Sequence, residues 1–491
     1  MAIKNGIWNA LANAAITLTG VIGSILVVRS LNRDQYGTLS YYLWLASIFF
    51  FLGTLALPNA ITKITSELNG NGREEEAHAL SRWVRCCLLA INLLLAVSLA
   101  LWASRAAEPE KSYLLIIAFV LVPNALMAVL RSTFWGREQY RPVSVTMMIG
   151  SLVQLLFIAL GYLFNWGVTG FLAALVSISV VQAVALAILL RSSDRSPRTT
   201  NKSFSLPERA LLRRYFAFAL PATLVLCTEL VVWQRSEIFF LERLSTLDQV
   251  GFYNLGYTIF GSLLTLGWAL VHGFYPAISR NYGAGAWSRI GQQLHQGLIL
   301  AALFAVPLTF GGWAILQNLT LLLYTPKMLP MVPVAQVLLV GILPGVIVGM
   351  LTLTVNSIGG IWIQVRAGLV MLVVSISLDL VLVPRLGAMG AALASTLTQV
   401  SYALLLTIIL RVRYNLGLPL RKIGSILFVG APTTFLVPVL AQNWFSGVVG
   451  LALAICLAAA MYTAVIHSLG YLQLLIMSTT GHENFASIGK P

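Results

Sequence analysis

Apolar runs long enough to cross a bilayer fill almost the whole of this 491-residue chain. A helix needs about 20 predominantly apolar residues to span the hydrocarbon. Fourteen such runs follow one another, at 7–28, 39–62, 84–104, 112–132, 143–164, 168–190, 214–240, 250–275, 291–316, 331–355, 364–383, 388–410, 422–441 and 445–468. Only 10% of the residues are charged, against about 25% in a soluble globular protein. That is too little charge to cover a water-soluble body of this length. The expected fold class is an all-α polytopic membrane protein of about 14 transmembrane helices. The formal net charge of +15 does not point to nucleic acid, because the basic residues sit in short connectors between the runs and so set membrane orientation. The run at 7–28 is longer than an ordinary signal-peptide core and reads as a retained helix. Cys86, Cys87, Cys227 and Cys456 lie in or beside runs without metal-ligand spacing. They are expected to be small buried hydrophobes, with no disulfide framework and no zinc.

The chain repeats itself. Asp34-Gln35-Tyr36-Gly37 returns as Asp248-Gln249-Val250-Gly251, and Arg29 returns as Arg243. Later landmarks recur in the same order: Pro123-Asn124 and Pro344-Gly345, then Gly167-x-x-Gly170 and Gly387-x-x-Gly390. A duplication of six spans places both halves in the membrane with the same orientation, as parallel repeats. The expected organisation is a six-helix lobe at 1–190, a polar linker at 191–213, a second six-helix lobe at 214–412, and two additional helices with a tail at 413–491. With the N-terminus inside, the outer connectors hold Arg29, Arg33, Arg105, Lys111, Arg235, Arg243, Lys327 and Arg385, which leaves 23 of the 31 basic residues inside. Both termini are therefore expected in the cytoplasm. The repeated Asp-Gln loop then lies on the outer face and marks the duplication without being a substrate site.

No P-loop, HExxH, GxSxG or metal cluster is present, so no enzyme activity, cofactor or metal is expected. The informative residues are charges inside the runs, because each is costly in the bilayer. Glu229 is the most isolated. On an unbroken helix over 214–240, Glu229, Trp233 and Glu237 would share one face. Asp379 and His272 are titratable groups within spans. Arg29, Lys63 and Arg131 end spans, where headgroup snorkelling is the alternative to a site. Asn59 and Asn254 are polar residues near spans that suit either sugar hydroxyls or interhelical hydrogen bonds.

Several stretches resemble the polysaccharide-export branch of the multidrug/oligosaccharidyl-lipid/polysaccharide exporter superfamily, the oligosaccharide flippases. They are Arg29-Ser30-Leu31 with Tyr36-Gly37, Gly251-Phe252-Tyr253 with Tyr257, Leu323-Tyr324-Thr325-Pro326 with Pro330, and Leu386-Gly387-Ala388-Met389-Gly390-Ala391-Ala392. The resemblance implies two lobes around a central cavity that opens to either side in turn. It implies flipping of a lipid-linked oligosaccharide, a polyprenyl-diphosphate glycan, outward across the bacterial inner membrane. For such a substrate, the charged and polar residues in and at the ends of the runs, Arg235, Glu237, Glu229, Arg29, Lys63, Arg131, Asn59 and Asn254, are the candidate contacts, with the guanidiniums taking the diphosphate. Glu229, Asp379 and His272 become candidates for ion coupling. Membrane lipids and polysaccharide polymerase or assembly proteins are the implied partners. The alternative in the same superfamily is a cation-coupled multidrug antiporter. Fourteen spans and a first lobe nearly free of mid-membrane acid favour the flippase.

Overall fold

The computed structural model describes residues 2–193, 207–233, 236–442 and 447–468, and these are all-helical apart from turns and connectors. The helices are α1 (Ala2–Ser30), α2 (Arg33–Thr54), α3 (Leu57–Gly70), α4 (Glu74–Ala103), α5 (Glu110–Gly136), α6 (Tyr140–Leu163), α7 (Gly167–Ser193), α8 (Arg209–Trp233), α9 (Glu237–Leu244), α10 (Leu247–His272), α11 (Tyr275–Gly283), α12 (Trp287–Leu323), α13 (Met331–Val340), α14 (Ile342–Ser357), α15 (Ile361–Leu386), α16 (Ala388–Tyr414), α17 (Leu420–Gln442) and α18 (Gly447–Ser468). Twelve membrane spans are long and apolar enough among the described residues. The 23-residue α17 and 22-residue α18 follow them. Several helices outrun their apolar cores. α4 starts at Glu74 and α12 extends from Trp287 to Leu323, because polar turns can continue a helix into the headgroup layer without a lipid penalty.

The chain divides into two compact units, Met1–Glu242 and Arg243–Pro491. The first is built around α5, of which one face packs on α3 and α4 and others on α6 and α7. Its buried side chains include Leu121, Val129, Leu130 and Phe134. In the second, α13 and α14 take the central place, between α10, α12 and α16. α17 and α18 pack on α12, where the Tyr462 hydroxyl donates to the Leu303 carbonyl at 2.8 Å. The compact division comes after the sequence repeat boundary. α8 sits with the first unit, where its Tyr215 and Ala219 join a core with Ile61, Ile64 and Leu80. Residues 194–206 of the polar linker lie outside the described residues.

The repeat is visible in local geometry. The second span of each half is interrupted and continued by a shorter helix: α2 by α3, and α10 by α11. The sixth span of each half begins at a glycine with positive φ, +65° at Gly167 and +55° at Gly387. The repeated glutamine has diverged in use. Gln35 closes a capping box with Asn32: the Gln35 amide donates to Asn32 Oδ1 at 2.8 Å and the Asn32 amide to Gln35 Oε1 at 3.1 Å. Gln249 instead reaches across the unit, and its Oε1 accepts the Ala388 amide at the start of α16 at 3.0 Å. Gln249→Leu is expected to lower stability by about 1 kcal/mol, the usual worth of an N-terminal cap, which thermal unfolding in detergent would read.

Two expectations change. Cys86, Cys227 and Cys456 are exposed and Cys87 is half-buried. On a membrane helix a small apolar side chain gains nothing from facing protein instead of lipid. The run at 214–240 is not one helix. α8 ends at Trp233, Ser236 lies in a turn, and α9 starts at Glu237. Glu229 and Glu237 therefore belong to different helices and do not share a face.

Candidate functional site

The break between α2 and α3 shapes the first unit. Leu55 takes φ +49° and ψ −145°, and Pro58 stands in the first turn of α3. Interrupting a membrane helix frees backbone groups that lipid cannot satisfy. Three side chains from neighbouring helices take them up. Asn92 of α4 donates from Nδ2 to the Gly53 carbonyl at 2.7 Å and to the Leu88 carbonyl at 2.8 Å. Thr223 Oγ1 of α8 accepts the Ala56 amide at 3.4 Å, and the Tyr215 hydroxyl donates to the Leu57 carbonyl at 2.8 Å. Gly53 is required there: a Cβ would sit 2.1 Å from Asn92 Oδ1.

Beyond the break, α3 is amphipathic. Pro58, Ala60, Ile61, Ile64, Thr65 and Leu68 are buried, while Asn59 and Lys63, four residues apart, are exposed on one face. α3 crosses α5 closely. Thr62 Oγ1 donates to the Ser132 carbonyl at 3.3 Å, and Asn69 Nδ2 to the Gly136 carbonyl at 3.2 Å. Thr65 fills the place where Gly136 lacks a Cβ, at 2.9 Å. Lys63 and Arg131 are each one residue from the Thr62–Ser132 contact, so they branch from the two helices at one level. Lys63 Nζ lies over the Phe218 ring at 4.1 Å, and the Arg131 guanidinium over the Trp135 ring at 5.2 Å. Among the described residues neither basic group has an acid within ion-pair distance. An aromatic face holds a cation without supplying a counter-charge.

Further along the same end, basic groups are engaged. Arg214 of α8 pairs with Glu67 of α3 at 2.6 Å, and Arg73 with Glu76 at 2.6 Å. Arg137 Nη2 donates to His78 Nδ1 at 2.9 Å. These contacts are solvent-exposed in part and contribute little stability.

Of the other sequence-predicted residues, Arg29 and Glu237 are described in the first unit. α2 is 22 residues long, about 33 Å, so Arg29, exposed in the last turn of α1, stands at the far end from Lys63. Glu237 is buried at the first position of α9. Phe239 of that helix meets Trp44, at the middle of α2, at 6.2 Å. Arg235 lies outside the described residues, as does the side chain of Glu229. In the second unit, Asn254 is buried on α10, and Asp379 is fully buried on α15. His272 is exposed at the end of α10, with Nδ1 2.6 Å from the Trp268 carbonyl. Asn124 and Gln154, also polar within spans, are used between helices: Ser179 donates to Asn124 Oδ1 at 3.0 Å, and Gln154 Nε2 to the Leu175 carbonyl at 2.8 Å. Sequence reasoning missed Asn92, Thr223 and Tyr215. A lone asparagine inside Ala90-Ile91-Asn92-Leu93-Leu94 was the available signal.

The polysaccharide biosynthesis protein family matches residues 2–282, more than half of the chain, and the MatE family matches residues 221–384. No curated protein matches it significantly. Among solved structures, the lipid II flippase MurJ in an inward closed conformation superposes with a TM-score of 0.73 at 13% identity, covering 96% of this chain and 100% of that one. An inward-facing multidrug resistance MATE family transporter of the MOP superfamily gives 0.58 at 15%, covering 81% and 98%. A MOP superfamily transporter from Pyrococcus furiosus gives 0.54 at 17%, covering 84% and 95%. These likenesses establish a shared two-lobe helical fold. By the match over residues 2–282, the chain belongs to the polysaccharide biosynthesis protein family.

Proposed function

We propose that this protein flips a lipid-linked oligosaccharide, a polyprenyl-diphosphate glycan, across the bacterial cytoplasmic membrane for surface polysaccharide synthesis, by alternating access. The observation that carries the reading is the pair Lys63 and Arg131, two basic groups without acid partners among the described residues, branching from the α3–α5 crossing. Charge placed within membrane helices is costly and marks a ligand path. A guanidinium and an ammonium together suit the two phosphates of a diphosphate. Asn59, on the same face as Lys63, suits a sugar hydroxyl. With both termini in the cytoplasm this pair stands at the inner mouth, and Arg29, Arg235 and Glu237 serve the outer one. The lipid tail stays in hydrocarbon while the headgroup follows the polar face, which avoids placing bare phosphates in lipid.

Asp379, fully buried on α15, is one coupling candidate. Glu229 and His272 are the further candidates, and Asn254 a second hydrogen-bonding contact. Polysaccharide polymerase and assembly proteins are the expected partners on the outer side. The antiporter reading draws on the MatE match over 221–384, a stretch that includes Asp379. Deleting the gene distinguishes the two. The flippase reading expects a lipid-linked glycan to accumulate on the cytoplasmic leaflet. Unchanged lipid-linked glycans with raised drug sensitivity would establish the antiporter instead.

A further inference from the structure

The two units treat their basic residues differently. In the first, basic groups near the α3–α5 end are interspersed with Glu67, Glu74, Glu75, Glu76 and Glu138, and several are paired. The described part of the second unit has only two acids, Asp248 and Asp379. Asp248 is in the first turn of α10, beside the start of α16 through the Gln249–Ala388 contact. Asp379 lies in the C-terminal half of α15, which leads into that same start. At the opposite end of the 27-residue α16, about 40 Å away, stand Arg280, Arg289, Arg411, Arg413, Arg421 and Lys422, all exposed. A separation of that size is several Debye lengths, so neither acid neutralises them.

An aromatic ladder gathers this end into one surface. Tyr282 meets Trp287 edge-on at 5.7 Å, and Trp287 stacks on Tyr414 at 5.6 Å with 23° between planes. The Arg413 guanidinium lies 5.8 Å over Tyr414. Asn415, at φ +54°, ends α16 and turns the chain back. His295 Nε2 then donates to the Gly417 carbonyl at 2.8 Å, which fastens the α16–α17 connector to α12. The adjoining apolar residues face outward: Val412 is 82% exposed and Leu420 67%. Basic groups, interfacial aromatics and outward aliphatic side chains therefore alternate over a few residues.

We infer that this end of the second unit is a binding surface for anionic phospholipid headgroups. The arginines and Lys422 take phosphate oxygens, Trp287 and Tyr414 sit at headgroup depth, and Val412 and Leu420 meet the acyl chains. Zwitterionic headgroups bring compensating positive charge and do not satisfy such a surface. The inference concerns lipid dependence and stands apart from the transported substrate.

The test uses the full-length protein in nanodiscs of phosphatidylcholine with or without cardiolipin, read by thermal unfolding and by native mass spectrometry of retained lipid. Wild type is expected to unfold at higher temperature with cardiolipin and to retain it. Arg413→Gln with Arg421→Gln and Lys422→Gln should weaken retention by about a hundredfold, given the worth of three charges at an anionic surface. A control triple in the first unit, Arg82→Gln, Arg85→Gln and Arg141→Gln, has the same net charge change and should retain cardiolipin as wild type does. Equal loss in both triples, or no difference between the lipids in wild type, would overturn the inference. So would stabilisation by inorganic phosphate alone. Stabilisation by polyglutamate without any effect of cardiolipin would assign the surface to an acidic polypeptide instead.

Discussion

Arg131→Gln is expected to cut translocation of a lipid-linked glycan by about tenfold to a hundredfold, the effect of removing a charge-assisted hydrogen bond to phosphate. Lys63→Gln should act in the same direction. Because both side chains branch from one helix crossing, the double variant should lose less than the two losses combined. The protein should still accumulate in the membrane. Neither group has an acid within ion-pair distance among the described residues, so no buried partner is orphaned by its removal. Arg131→Lys keeps the charge and loses the planar fork, so it should restore transport only in part. Transport by intact cells, with membrane protein level measured in parallel, checks all four variants. Wild-type transport in the double variant would remove these residues from the substrate path.

The second large effect falls on stability. Asn92→Leu should destabilise the first unit by about 2–4 kcal/mol. It leaves the buried Gly53 carbonyl without its donor and puts a branched apolar group against Gly53. Gly53→Val should cost a similar amount, because its Cβ would force Asn92 out of both hydrogen bonds. Tyr215→Phe removes only the donor to the Leu57 carbonyl and should cost about 1–2 kcal/mol. Unfolding in detergent followed by helical signal measures the series. If Asn92→Leu unfolded like wild type, the break between α2 and α3 would not depend on side chains from α4 and α8.

That break also marks where sequence reading ran out. Apolar runs gave the span order because burial in lipid is a property of composition, and α1, α6 and α16 follow their runs closely. Leu55-Ala56-Leu57-Pro58 is as apolar as its flanks, and a proline in a membrane run is compatible with a continuing helix. The interruption is held by Asn92, Thr223 and Tyr215, which lie 39 to 167 residues along the chain from the groups they bond. No local pattern contains that information. The same applies to α8, where an unbroken period over 214–240 placed Glu229 and Glu237 on one face, yet the helices stop and restart between them. Lys63 and Arg131 were legible individually as charges at the ends of apolar runs. Their common level was not, because it depends on how α3 crosses α5 through Thr62 and Ser132. The cysteines were misjudged for a simpler reason: burial inside protein is not the default for a small apolar group when the solvent is lipid.

The most direct measurement is leaflet exchange by the purified protein in proteoliposomes loaded with a fluorescent polyprenyl-diphosphate oligosaccharide, with a membrane-impermeant quencher added outside. The account predicts that wild-type protein brings the inner-leaflet fluorophore within reach of the quencher, and that the Lys63→Gln, Arg131→Gln variant leaves it protected. Protection in wild-type vesicles equal to that in protein-free vesicles would contradict it.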